Sequence, residues 1–441
     1  MPRHAIHPTA GISPLARIYR HAGLLLSGKA VGGAMSLGYL ALALRALEPA
    51  AFGVLVMIEG YAMVMAGILQ SEAWKLLVHD GAKFLHQGAQ RKLQRLVVFV
   101  TVIDLAVGTA AILLAMAAIP FVGVWLDWPP AATQAAMLYC LAVPFLMVAM
   151  PSGMLRLTGC FRRLSWQLTV MPSIRLMGAA LLHWQQAELG AFLVLWLISD
   201  IAAGVVLWAL GLHALHQQGH LKHLKLSLRG VVTTEPGWWT YLLQAKAASV
   251  LDIVRDRLPM LLVGGALKAE AAGFYRLAAG LTKVFSMPGE LLTQSVFPDL
   301  AELAGRGERA ALWSVAWKSG LIAGLAALPL FIAILLAGGP IIQTIAGSGY
   351  GAAATILALL AAARLFDLFG FAFEPGLLAI GRVGALALSK IAMAATELGG
   401  IWPLMAVLGL NGAGIALIIS SLVLYGLMAG ALWKFSARRF P

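Results

Sequence analysis

Residues 96–119 read LVVFVTVIDLAVGTAAILLAMAAI, an unbroken run from Leu96 to Ile119 with one ionisable side chain, Asp104. A run of that length and polarity matches the ~20 residues an α-helix needs to cross the hydrocarbon of a bilayer. It is far longer than the ~9–11 residues of a barrel strand and lacks the two-residue alternation of one. Similar runs lie on either side, at 22–44 and 52–74 before it and at 133–155, 164–184 and 190–211 after it. A second group covers 238–265, 271–297, 312–336, 350–370, 384–408 and 411–433. Short connections rich in Gly, Pro and Trp separate them, such as Trp125–Pro130. The pattern predicts an all-α integral membrane chain with twelve transmembrane helices.

Composition agrees. Of 441 residues, 61% are apolar and 12% charged, and the mean hydropathy is +0.86. Soluble domains run at roughly 45–50% apolar and ~25% charged, so a cytosolic globule is excluded. Twelve spans leave no room for a large catalytic domain outside the membrane. No Ser-His-Asp set, Cys-rich metal pattern or carboxylate pair in an exposed loop points to an enzyme, and no cofactor or metal is expected. The stretch from His21 to Leu44 is too long for the apolar core of a signal peptide and contains Lys29, so it reads as the first span. Cys140 and Cys160 form no disulfide framework.

The net charge of +13 is explained by where the bases fall. With both termini cytoplasmic, the segments on that side hold twenty Lys and Arg, among them Lys75, Lys83, Arg91, Lys92, Arg95, Arg156, Arg162 and Arg163. The opposite loops hold Arg45 and Lys268 alone. This is the positive-inside asymmetry of an inner-membrane protein and not the footprint of a nucleic-acid binder.

The chain also repeats itself. Ala46, Leu47, Ala51 and Gly53 recur as Ala266, Leu267, Ala271 and Gly273, at a constant offset of 220. Gly190, Ala191, Leu195, Ser199 and Gly204 recur as Gly412, Ala413, Leu417, Ser421 and Gly426, at an offset of 222. Six spans per repeat is an even number, so both halves enter the membrane the same way round. A parallel internal repeat follows, with two six-helix lobes about an axis along the membrane normal and a cavity between them. The expected division is an N-terminal lobe over 1–211, a cytoplasmic linker over 212–237 and a C-terminal lobe over 238–441.

Charges inside the spans are the candidate functional residues, because each costs roughly 2.5–3.5 kcal/mol at a helix centre. They must pair, snorkel or line water. Asp252, Arg255 and Asp256 fall at i, i+3 and i+4 on one helical face, with Arg257 about 100° further round. Two readings stay open for this group: a self-neutralising cluster that holds the lobes together, or a cationic lining. Lys29 lies beside a small-residue stripe of Gly28, Gly32 and Ser36 that also reads as a packing face. Lys246 and Lys283 are deeper than snorkelling easily reaches, which favours a polar lumen. Cations in such a lumen attract phosphate or diphosphate. Glu59, Asp104, Asp200 and Asp367 either pair with a base or hold a coupling cation.

Two motifs lead elsewhere. Gly23–Ala30 matches most of a phosphate-binding loop but lacks its Ser/Thr and any preceding strand. His213, His216, His220 and His223 fall on one helical face, read chiefly as the polar side of a linker helix on anionic headgroups.

Five ordered motifs resemble those of the bacterial polysaccharide (O-antigen type) flippases. Arg45-x-Leu47-x-Pro49-x-x-Phe52-Gly53 follows the first span, and Asp256-Arg257 precedes the apolar run Leu258–Val263. Ala272-Gly273-Phe274-Tyr275-Arg276-Leu277-Ala278, Phe297-Pro298-x-Leu300-Ala301 and Gly409-x-x-Gly412-Ala413 complete the set. Phe274 and the Ala269-Glu270 loop depart from the pattern. The resemblance implies a MATE-like fold of the multidrug/oligosaccharidyl-lipid/polysaccharide exporter superfamily. It also implies flipping of an undecaprenyl-diphosphate-linked oligosaccharide across the bacterial inner membrane, beside a polysaccharide polymerase and glycosyltransferases. On that reading Lys29, Lys246, Arg255, Arg257 and Lys283 face the diphosphate. Asp252 and Asp256 orient those bases, and Asp200 and Glu59 serve as charge partners or couple a cation. The rivals are a cation-coupled multidrug exporter of the same fold, a peptidoglycan-precursor flippase and a non-transporting scaffold for polysaccharide assembly.

Overall fold

A computed structural model describes residues 14–220 and 238–437. The expected linker lies mostly outside that range, as do Lys222, His223, Lys225, Arg229, Arg438, Arg439 and the first thirteen residues. All described regular structure is helical. In the first half α1 is Pro14–Ala46, α2 Pro49–Leu69, α3 Ala73–His86, α4 Gln90–Trp125 and α5 Pro130–Tyr139. Then come α6 Val143–Leu146, α7 Ala149–Leu157, α8 Phe161–Gln167, α9 Val170–Trp184 and α10 Leu189–Gln217. In the second half α11 is Trp238–Gly305, α12 Arg309–Ala346, α13 Ala353–Gly370, α14 Phe373–Ala379, α15 Val383–Leu408 and α16 Leu410–Ala437.

Each expected span falls on helix. Among the described residues, nine helical stretches are long and apolar enough to cross a membrane. The runs over 164–184, 238–265 and 271–297 fall on α8–α9 and on the two parts of α11, outside that set. The fourth expected span is broken: α5 passes through one 3-10 turn at Cys140–Ala142 into α6 and α7, where Pro144 removes a backbone donor. The loop expected over 266–270 shrinks to a single non-helical residue, Lys268, at φ 72° and ψ 172°. That backbone region is one L-residues rarely adopt. The amphipathic helix α3 stands where the sequence suggested only a basic loop, burying Leu76, Leu77 and Phe84 and turning Lys83 outward.

One seam between the halves is zipped along its length. The stripe Gly53, Gly60, Gly67 on α2 faces the first part of α11. A Cβ added at Gly53 would meet the Ala269 carbonyl at 1.8 Å, one at Gly60 the Met260 methyl at 2.2 Å, and one at Gly67 the Ile253 side chain at 3.0 Å. Small residues let two backbones approach this closely where lipid offers no hydrophobic driving force.

The internal repeat is visible in these contacts. Gly53 sits against the Ala269 carbonyl, while Gly273 sits against the Pro49 carbonyl, 3.2 Å from an added Cβ. Residues 49 and 53 exchange roles with their partners at offset 220, as an approximate two-fold axis requires. Around this end, called the Arg45 end below, Tyr350 packs edge-on against Phe52 and Phe274, with ring centroids 6.3 and 5.7 Å apart. The bulky Phe274 thus completes an aromatic plug. Arg45 donates to the carbonyls of Thr344 (2.5 Å) and Ile345 (3.2 Å), the last turn of α12. A cation there meets the negative end of the helix dipole and its unpaired carbonyls.

Candidate functional site

Two charge centres flank the seam, the first buried and the second partly open. In the first half, Arg175 of α9 is fully buried. Its guanidinium donates to Glu59 Oε1 (2.5 Å), Asp200 Oδ1 (2.7 Å) and Ser199 Oγ (2.8 Å). Tyr139 donates to the other Asp200 oxygen at 2.5 Å, and the rings of Trp196 and Tyr39 lie 4.7 and 5.5 Å from the guanidinium carbon. A planar fork fits such a site where a lysine would not. One positive charge between two carboxylates leaves the centre one negative charge in excess. Arg276 of α11 offsets it across the seam, 3.7 Å from Glu59 Oε2. Glu59 and Asp200 therefore stand as partners of Arg175.

In the second half the charges of α11 do not neutralise one another along their own helix. Arg255 pairs with Asp367 of α13, donates to Ser421 Oγ of α16 at 2.9 Å and lies beside Tyr425. Asp256 meets Arg364 at 3.6 Å, which also holds Asp367 at 3.1 Å. Asp252 receives Lys390 of α15 at 2.9 Å, and Lys390 also reaches Glu374 at 3.2 Å. Glu397, 1% exposed, accepts from Ser420 at 3.3 Å, and its Oε1 has no partner. The repeat-related serines Ser199 and Ser421 each accept from an arginine, the buried Arg175 in one half and the partly buried Arg255 in the other.

The five expected diphosphate-facing bases therefore separate. Arg255 is committed to Asp367. Lys246 donates to the carbonyls of Gly67 (2.9 Å) and Gln70 (2.7 Å), capping the C-terminus of α2 across the seam. Arg257 and Lys283 are exposed and form no ion pair among the described residues; the contact of Arg257 is with the Met63 thioether, 2.6 Å away. Arg257, Arg276 and Lys283 lie in one another's fields beside Glu59 and Asp256. Lys29 lines a cavity of about 550 Å³ with Met63, Arg156, Gln167, Asp200 and Leu291. Met63 joins that cavity to Arg257. The stripe beside Lys29 is a packing face: a Cβ at Gly28 would meet the Ser165 carbonyl at 2.4 Å, and one at Gly32 that of Leu168 at 2.8 Å.

Arg276 is the member of this set not singled out from the sequence. The signal was present, since Arg276 and Lys283 at i and i+7 share a helical face. Arg175 gave no such signal, because its partners come from α2 and α10. Among the described residues no group of three or more His, Cys, Asp and Glu is disposed to hold a metal. His213 and His216 lie on α10. His220 falls beyond its end, with its carbonyl accepting from Gln94 at 3.0 Å.

The arrangement of helices is a known one. No family model matches the chain. It superposes on an inward-facing multidrug resistance MATE family transporter of the MOP superfamily with a TM-score of 0.72, covering 94% of this chain and 100% of that one at 14% identity. The lipid II flippase MurJ in an inward closed conformation gives 0.67, covering 95% and 88% at 12% identity. A MOP superfamily transporter from Pyrococcus furiosus, described by the reverse polarity of its binding pocket, gives 0.62, covering 97% and 96% at 14% identity. The fold is MATE-like. In sequence, the inner membrane protein YghQ of Escherichia coli (strain K12) is 28% identical over 333 residues, 76% of this chain and 93% of that protein.

Proposed function

We propose that the chain is a bacterial inner-membrane flippase for a polyprenyl-diphosphate-linked oligosaccharide, an O-antigen, exopolysaccharide or capsule repeat unit. The lobes are residues 1–211 and 238–441, joined by a cytoplasmic linker over 212–237, and they alternate access to the seam. The observation that carries this reading is the charge left over there. Arg175, Glu59, Asp200 and Arg276 balance, and so do Arg255, Asp367, Arg364 and Asp256. Arg257 and Lys283 remain beside them without a carboxylate partner among the described residues. Two cations side by side at the seam suit a ligand with two phosphates. The cavity at Lys29, Arg156 and Gln167 offers the sugar polar partners, and a polyprenyl tail stays in lipid.

On this reading the Arg45 end is the closed outer side, held by Arg45 on α12 and the Tyr350 plug. The cavity opens on the basic, cytoplasmic side, where a newly built glycan would load. Polymerase and glycosyltransferases are the expected functional neighbours. The likeness to YghQ supports an inner-membrane location, and the shared fold of the lipid II flippase MurJ supports flipping.

The solved multidrug transporters favour a second reading, export of cationic drugs. That requires acids open to the seam. Asp252 and Asp256 are more than half exposed, but each is already salt-bridged. One experiment separates the two: R257E/K283E, in a deletion host, with surface level measured. Loss of surface glycan without change in drug sensitivity supports the flippase. Retained glycan with altered drug resistance supports the exporter.

A further inference from the structure

On the opposite side of α1 from the Lys29 cavity lies a second groove, of about 690 Å³, between α1, α8 and α10. Arg162, Arg163 and Trp166 of α8 line its charged side, and Val31 and Leu210 give it an apolar wall. No acidic residue lines it. Arg162 forms no hydrogen bond or ion pair among the described residues. Arg163 gives one nitrogen to Gln217 at 2.7 Å, but its Nη1 is buried without a partner. A buried guanidinium N–H left unpaired is costly, and native structures rarely tolerate one without a ligand or water. Trp166 is 66% exposed, and exposed tryptophans of membrane proteins concentrate at the headgroup layer. The neighbouring hydroxyls of Ser27 and Thr169 already donate to backbone carbonyls. The groove's open donors are therefore the Arg162 guanidinium and the Trp166 indole N–H, with Arg163 adding its charge.

We infer that this groove is a binding site for an acidic phospholipid, separate from the translocation seam. The Arg162 guanidinium and the indole hold the phosphate, the charge of Arg163 lies beside them, and an acyl chain lies along Val31 and Leu210. A free phosphate would leave the apolar wall bare. A zwitterionic headgroup would bring an ammonium against two arginines. Because α8 packs on α1 at Gly28, such a lipid brackets the helix whose other face lines the Lys29 cavity.

The test is native mass spectrometry of the delipidated full-length chain titrated with phosphatidylglycerol, phosphatidylethanolamine or glycerol phosphate. Phosphatidylglycerol is expected to give a tight adduct that the other two neither form nor displace. R162Q/R163Q is expected to weaken it about thirtyfold, at roughly one basic contact each. V31W, which keeps both charges but fills the groove, is expected to weaken it as well. The control R91Q/K92Q removes the same charge elsewhere and should leave it intact. Unchanged affinity in R162Q/R163Q overturns the proposal. So does displacement by glycerol phosphate, or equal loss in R91Q/K92Q, which would mean diffuse surface charge. Variants are compared only where their thermal unfolding in detergent matches wild type; if R162Q/R163Q fails that check, V31W alone decides.

Discussion

Arg175 is the residue on which the first lobe turns. It holds two buried carboxylates, and deleting one partner of a buried pair typically costs about 3–5 kcal/mol because the other charges stay behind unpaired. Arg175→Met should lower stability in detergent by about that amount, read by thermal unfolding, and Arg175→Lys should recover little of it because the fork geometry is lost. Arg257 belongs to a different class. It is exposed at the seam with no salt bridge among the described residues, so Arg257→Gln should leave unfolding within about 0.5 kcal/mol of wild type while transport falls. The intramembrane charges were readable in the sequence as a set, but their division into structural and available groups was not. Arg255 and Arg257 are two residues apart, yet one turns into the second lobe towards Asp367 and the other towards Met63. Partners 100 or more residues away decide which is which.

At the scale of elements, the α2–α11 seam gives the sharpest expectation. Gly53→Leu would drive a side chain into the Ala269 carbonyl and prise apart the Arg45 end. It should destabilise by about 1–3 kcal/mol as an overpacking change, more than Gly53→Ala. The spans themselves were legible because a period-free apolar run of twenty or more residues has few other fates. The 220-residue repeat was also legible, and the exchanged contacts of Gly53 and Gly273 give it a physical basis. Pro144 and Pro151 mark an interruption of the fourth span but not the extent of the break, and the helix α3 was not legible. A proline inside a span marks a possible kink without fixing its extent. The amphipathic face of α3 acquires meaning only against α4 and α7.

For the whole molecule, the account requires the Arg45 end to part during transport. Pro49 and Gly349 approach each other there, with an added Cβ on Gly349 lying 3.5 Å from the Pro49 ring. With Cys140 and Cys160 replaced, P49C/G349C should cross-link under mild oxidation and stop transport, and reductant should restore it. Transport that continues through a complete cross-link would mean this end never opens. Cysteine scanning of Lys283 with a charged, membrane-impermeant reagent should give labelling from the basic side while the cross-link holds. The fold was legible from composition and repeat; the resting asymmetry between the two ends was not, since it depends on contacts between Arg45 and the far end of α12.

If charge at the seam holds a diphosphate, reversing that charge must slow the flipping of a diphosphate-linked lipid. Purified wild type and R257E/K283E should be reconstituted in proteoliposomes with a fluorescent polyprenyl-diphosphate oligosaccharide, and its movement between leaflets followed by a membrane-impermeant quencher. The account predicts rapid flipping by wild type, loss of at least tenfold in R257E/K283E at equal protein and fold, and little flipping of the matching lipid that lacks phosphate. Equal rates for wild type and R257E/K283E would contradict it.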